Sequence, residues 1–273
     1  CPPCRNRISS MSQEAIVQLG GDRFGLPSGG DASVQGGTCL LLLNAGFIHR
    51  SGPFRLHVRL ARRLAQAGIA SFRFDAPGIG DALARSDRPL LETMRADMDA
   101  LEQQHGFRRF VVGGLCSAAD LGWQLALADP RVVGVLSIDG LARMGWWYRW
   151  ARLRRLLAKP PAAWMQSLKR HSRRRAASSM SAAELRDWPE PGVERGQIKA
   201  LVERGVALMF LFTGGAGYFL HPRQFGETYG AASKAESVQF DHWPQCDHTF
   251  FKETDRRKLI EHLAQWMTRR FAP

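Results

Sequence analysis

The chain has 273 residues, 45% of them hydrophobic. That is enough for a sizeable core in one large α/β domain with an insertion, and it argues against two full domains. The 38 Lys and Arg outnumber the 25 Asp and Glu to give a formal net charge of +13. No apolar run approaches the roughly 18 residues that span a bilayer, so a soluble protein is expected.

In chain order, residues 1–14 read as a disordered leader. Cys1-Pro2-Pro3-Cys4 has the spacing of a redox or metal-ligand pair, but no second pair lies nearby. Met11 offers an alternative start, and a lipidated Cys1 lacks a signal segment to support it. Cysteines at 1, 4, 39, 116 and 246 are odd in number and not densely spaced, which favours a reducing compartment, the cytoplasm by default.

From Thr38 onward apolar runs alternate with helical patterns. Strand candidates fall at 39–43, 70–74, 110–112, 132–138, 206–212 and 236–240. Helix candidates fall at 55–67, 90–105, 118–128 and 256–271; the first sets Leu56, Leu60 and Leu64 on one face and stops at Gly68. Such alternation implies crossover units and a mostly parallel twisted sheet with helices on both faces. Ligands bind such sheets outside the carboxyl ends of the strands.

The most informative segment is Gly114-Leu115-Cys116-Ser117-Ala118, directly after the apolar run 110–113 and directly before a helical pattern. It has the form of a nucleophile elbow, a strained strand-to-helix turn that needs small residues two places before and after its centre, with cysteine where serine is usual. A helix N-terminus stabilises negative charge, and the thiolate is the reactive form of cysteine. The bland alternative is a buried apolar cysteine at a strand end. Ser117 is a rival nucleophile but sits one place too late for the turn.

Together with Leu41-Leu42-Leu43-Asn44-Ala45-Gly46-Phe47, Phe72-Arg73-Phe74-Asp75-Ala76-Pro77-Gly78-Ile79-Gly80-Asp81 and Asp247-His248-Thr249-Phe250, the elbow resembles the α/β-hydrolase superfamily over most of residues 38–271. The Gly-Leu-Cys elbow with a long basic insertion resembles the first of two groups within it, and the cysteine elbow alone resembles the second. The first is the hydrolases associated with the exosortase A system of exopolysaccharide-producing bacteria, the second the aminoacyltransferases that shuttle acyl groups between peptidyl carrier proteins. The resemblance implies a core at 15–140 and 201–273, with a helical lid at 141–200.

It also implies His248, after the last strand, as general base, and the backbone N–H groups of Phe47 and Ser117 as oxyanion donors. The family's usual His-Gly pair is Ala45-Gly46 here. The acid normally found after the strand at 206–212 is missing, since the chain reads Thr213-Gly214-Gly215 with no carboxylate until Glu227. Asp139, after the preceding strand, is either its replacement or a turn cap before Gly140; a Cys116–His248 dyad without any acid is the other option. Asp120, one turn along the helix from Cys116, either touches the site or faces solvent. Asp247 is expected to point elsewhere, and Asp75 and Asp81 to shape a tight turn.

Between Gly140 and Ala183 stand 11 Lys or Arg and no acidic residue. Trp146, Trp150, Leu153 and Leu157 recur there at helical spacing until Pro160-Pro161, and a second apolar segment carries Trp164, Met165 and Leu168. Such a basic, amphipathic stretch suits an acidic carrier protein, coenzyme A or an anionic membrane surface, or is a solvated lid; nucleic acid at 169–175 is disfavoured. The expectation is a cysteine-dependent acyl-transfer enzyme, thioesterase, esterase or acyltransferase, acting on an ester or thioester without metal or organic cofactor. The competing class is a non-catalytic accessory protein of the same fold, which the missing acid favours.

Overall fold

The computed structural model describes residues 16–20, 23–29, 37–83, 87–158 and 189–272. The leader at 1–14, the Pro160-Pro161 break, the segment at 164–168 and the basic run at 169–175 lie outside these residues.

One sheet holds β1 (Val17–Gln18), β2 (Phe24–Ser28), β3 (Thr38–Leu42), β4 (Ala70–Phe74), β5 (Arg109–Leu115), β6 (Val132–Ile138), β7 (Ala207–Thr213) and β8 (Val238–Trp243). Their order is β1-β2-β4-β3-β5-β6-β7-β8. The β1–β2 and β2–β4 pairs are antiparallel, and every pair from β4 to β8 is parallel. The helices are α1 (Leu56–Gln66), α2 (Leu90–His105), α3 (Ser117–Ala128), α4 (Trp146–Leu157), α5 (Val193–Glu203), α6 (Arg223–Tyr229) and α7 (Glu253–Phe271).

Strand periodicity builds two cores. Cys39, Leu41, Phe110 and Val112 point to one face, where Met98 of α2, Leu125 of α3 and Leu201 of α5 cover them. Leu40, Leu42 and Val111 point to the other, covered by Leu60 and Leu64 of α1 and by Leu263 and Trp266 of α7. Burial on both faces is why these strands read as continuous apolar runs. Each such fully buried Leu or Phe contributes about 1.5–3 kcal/mol.

The antiparallel margin and two helices were not predicted. β1 is only two residues long, and Gly25 and Pro27 within β2 are poor strand formers. Gly25 is there for tertiary reasons, because a Cβ at that position would stand 2.1 Å from the ring of Phe72 on β4. The lid boundary drawn at residue 200 runs through α5, whose Ile198 and Leu201 belong to the core. Among the described residues no helix is long and apolar enough to cross a membrane.

Candidate active site

Cys116 stands between β5 and α3 with φ 59° and ψ −120°, a region that a non-glycine residue enters only at a cost of about 1–3 kcal/mol. The surroundings hold it there. Its N–H donates to the Ile138 carbonyl on β6 at 2.8 Å, and its carbonyl accepts from the Ala119 N–H at 2.9 Å. The small residues around the turn are sterically required. A Cβ on Gly113 would lie 2.1 Å from the Leu136 carbonyl oxygen, and one on Gly122 would lie 2.7 Å from the Gly113 Cα, so α3 leans directly on the backbone of β5. A Cβ on Gly114 would already meet the Ala118 methyl at 3.1 Å.

His248 follows β8, and its Nδ1 lies 2.7 Å from Asp139 Oδ2. The imidazole also interacts with the Cys116 side chain. The Asp139 hydrogen bond first, and the interaction with Cys116 second, push His248 up to about 9 against the opposing effect of burial. Asp139 is fully buried at the carboxyl end of β6, with φ 51°. Its carboxylate accepts the Thr213 N–H at 2.6 Å and the Thr213 hydroxyl at 2.7 Å. The single proton of the Tyr218 hydroxyl is shared between the carbonyls of Asp139 and Gly140, the latter at 2.8 Å, and ties this turn to the chain after β7.

Crowding explains why no side-chain acid occupies the end of β7. A Cβ on Gly214 would fall 2.0 Å from the Pro244 carbonyl oxygen, and one on Gly215 would fall 2.3 Å from the His248 backbone nitrogen. The histidine loop therefore rests on glycine backbone, and Thr213 serves a carboxylate that comes from the neighbouring strand. Thr213 and Tyr218 were not singled out from sequence; a threonine at a strand end carries no distinguishing signal.

The loop after β3 meets the start of α3 through Gly46, whose N–H donates to Ser117 Oγ at 2.7 Å. Ser117 thus acts as a clamp between the two segments that carry the expected oxyanion donors, Phe47 N–H and Ser117 N–H. Ser117 opens α3, where backbone N–H groups have no partner within the helix. Asn44, also missed from sequence, braces the same loop. Its Nδ2 donates to the Ile48 carbonyl at 2.9 Å and to Asp75 Oδ1 at 3.0 Å, while its Oδ1 accepts the Ala76 N–H at 2.9 Å.

Asp75 is buried and also accepts the Arg50 N–H at 2.6 Å, the structural role expected of it. His49, Asp75 and Asp81 bring ligand atoms within 4.8 Å of one another. Arg50 Nη1 bonds both carboxylates, at 2.7 Å to Asp81, so a guanidinium already fills the place a cation would take. Asp247 turns away from the site to accept the Thr249 N–H and hydroxyl at 3.0 and 2.8 Å and the Phe251 N–H at 2.9 Å. Asp120 lines a cavity of about 280 Å³ between α3 and α5, with Trp123, Gln124, Leu141, Gln197 and Tyr229.

Sheet order, helix placement and a strand–turn–helix elbow define an α/β-hydrolase fold with cysteine at the elbow. No protein-family profile matches the chain, and no curated protein matches it in sequence. Solved structures do. The chain is similar to a proline iminopeptidase from Mycobacterium smegmatis at 15% identity and TM-score 0.56, covering 94% of this chain and 98% of that one. It is similar to an esterase from Pyrococcus furiosus at 10% identity and TM-score 0.56, covering 96% and 91%. Mouse α/β hydrolase domain-containing protein 10 is similar at 14% identity and TM-score 0.52, covering 94% and 99%. At these identities the likeness is one of fold.

Proposed function

We propose that this protein is a cysteine-dependent acyl-transfer enzyme. The observation that carries the reading is the chain of contacts from Cys116, at positive φ on the elbow, through His248 to the buried Asp139. An esterase and a peptidase among the similar structures support it, because both names denote cleavage at an acyl carbon.

The Cys116 thiolate attacks the carbonyl carbon of an ester or thioester, forming a C–S bond and placing the carbonyl electron pair on oxygen. Backbone N–H groups of Phe47 and Ser117 receive that oxyanion. Collapse expels the alkoxide or thiolate, which takes the proton from the His248 imidazolium and leaves an acyl-enzyme. His248 then removes a proton from water or a second acceptor as it attacks, and Cys116 leaves as thiolate. Asp139 fixes the ring through Nδ1 and leaves Nε2 for these transfers. A thiol exchanges with thioesters at little cost in bond energy, so coenzyme A and carrier-protein thioesters are donors of the right chemistry.

Intact-mass spectrometry after incubation with a panel of acyl-coenzyme A and acyl-carrier thioesters tests this. The expected result is an acyl adduct on the wild type, absent from Cys116→Ala and much reduced in His248→Ala. The adduct's lifetime in water separates hydrolase from transferase. No adduct, together with an elbow thiol inert to an electrophilic probe, overturns the reading in favour of a non-catalytic binding protein.

A further inference from the structure

α4 follows β6 in the chain, and its exposed surface carries an apolar stripe. Trp146 is 66% exposed, Trp150 37%, Leu153 55% and Leu157 68%. At about 100° per residue these four fall within a stripe roughly 60° wide. Arg149 and Arg154 border the stripe on either side, Arg152 and Arg155 lie beyond them, and the helix has no acidic residue.

The flank of α4 next to this stripe is fixed to the body of the protein. Glu227 accepts the N–H groups of Trp146 and Trp147, the latter at 3.2 Å, and so occupies the positive end of the helix. Trp147 stacks on His221 with ring centroids 4.8 Å apart, under the guanidinium of Arg223, and Trp150 meets the same imidazole edge-on at 5.6 Å, so Trp150 is the inner margin of the stripe. A Cβ at Gly145 would collide with the Glu227 carboxylate at 2.2 Å, so this junction is tightly fitted. The orientation of the exposed stripe is therefore held by the fold.

Further exposed apolar side chains share that edge. Phe47 and Phe54 follow β3, Leu83 follows β4, Met144 follows β6 and Phe251 follows β8. A groove-binding partner helix would need one stripe only. Apolar side chains spread over four loops and a basic helix, rich in Trp, Leu and Arg, match the requirements of a lipid–water interface.

We propose that α4 and these loops dock the Cys116 face of the protein onto an anionic lipid surface, with Trp146, Trp150, Leu153 and Leu157 entering the headgroup region and Arg149 and Arg154 meeting lipid phosphates. This goes beyond the acyl-transfer reading and is measured without catalysis, so either can fail alone.

The experiment is co-sedimentation of the full chain with vesicles of phosphatidylcholine alone and of phosphatidylcholine mixed with phosphatidylglycerol. Binding to the mixed vesicles is expected to be about 10-fold tighter or more, given several arginines at the surface. Leu153→Asp/Leu157→Asp and Arg149→Glu/Arg154→Glu should each weaken it about 10-fold, with unchanged far-UV circular dichroism and thermal midpoint. Quenching of tryptophan fluorescence by lipids with brominated acyl chains should fall in Trp146→Phe. Three results overturn the proposal: no sedimentation with either vesicle, sedimentation indifferent to all these substitutions, or binding of a soluble acyl carrier protein that Leu153→Asp abolishes while vesicles are ignored.

Discussion

Thr213 donates twice to Asp139, from its N–H at 2.6 Å and from its hydroxyl at 2.7 Å, so the ends of two neighbouring strands hold one carboxylate against His248. An ionised carboxylate accepts at about four lone-pair positions, and here three are taken by donors of fixed geometry. Asp139→Asn keeps the shape but turns half of the group into a donor. Turnover of a thioester substrate should fall by about 100-fold to 10,000-fold in kcat/KM, because the ring loses its orienting charge. Titration of His248 by NMR should show its pKa moving down from about 9.

Thr213→Val separates support from chemistry. It removes the hydroxyl donor and leaves the N–H donor, at an expected stability loss of about 1–3 kcal/mol for a buried bond to a charged group. The fall in kcat/KM should be smaller than for Asp139→Asn. Denaturant midpoints beside steady-state kinetics give both numbers; a Thr213→Val protein as stable as wild type contradicts the assigned role.

Much of this was legible in the sequence where burial and periodicity agree. The strands at 70–74 and 132–138 and the helix at 90–105 coincide with β4, β6 and α2. The elbow could be read because its turn restricts residue type at several consecutive places. The acid was harder, because what makes Asp139 a partner of His248 is a register: Leu115 pairs with Ile138 on β6, and Ile138 with Leu211 on β7. Nor does linear spacing indicate that Asn44 and Ser117 brace one loop, as their partners are contributed by distant segments.

Gly215→Ala is expected to damage the site through backbone alone. The new methyl would stand 2.3 Å from the His248 backbone nitrogen, and the histidine loop must shift to admit it. Overpacking of this kind costs about 1–3 kcal/mol. Acyl transfer should fall by about 10-fold or more, since a displacement near 1 Å can cost that much, while alkylation of Cys116 persists. Unchanged kinetics in Gly215→Ala would show that the loop has more freedom than its packing indicates.

Ser117→Ala tests whether Ser117 is a clamp or a rival nucleophile. Its hydroxyl accepts the Gly46 N–H at 2.7 Å. Without that acceptor the loop after β3 loosens, and kcat should fall modestly, by about 10-fold, as one segment of the oxyanion site loses its brace. Acyl adducts should still form on Cys116 and be located there by peptide mapping. Loss of every adduct in this variant, with Cys116 still alkylated, assigns the nucleophile to Ser117 instead.

The pH dependence follows from His248, raised from 6.5 to about 9 by its hydrogen bond to Asp139 and its interaction with Cys116. A folded-state pKa above the unfolded value means that protonated His248 favours the native state, fully below pH 6.5 and progressively less as pH rises through about 9. Wild type should therefore melt well above His248→Gln at the acid end of this window and converge with it at the alkaline end. The same protonation keeps a counter-charge beside the thiol at neutral pH, so iodoacetamide should modify Cys116 there, and His248→Gln should slow the reaction on the order of 10-fold. Cys39 and Cys246 serve as internal controls, because burial pushes both thiols up, Cys246 to about 11. Melting curves of wild type and His248→Gln that run parallel across the window would show that the imidazole is neutral in the native state, and the thiolate–imidazolium pair would have to be abandoned.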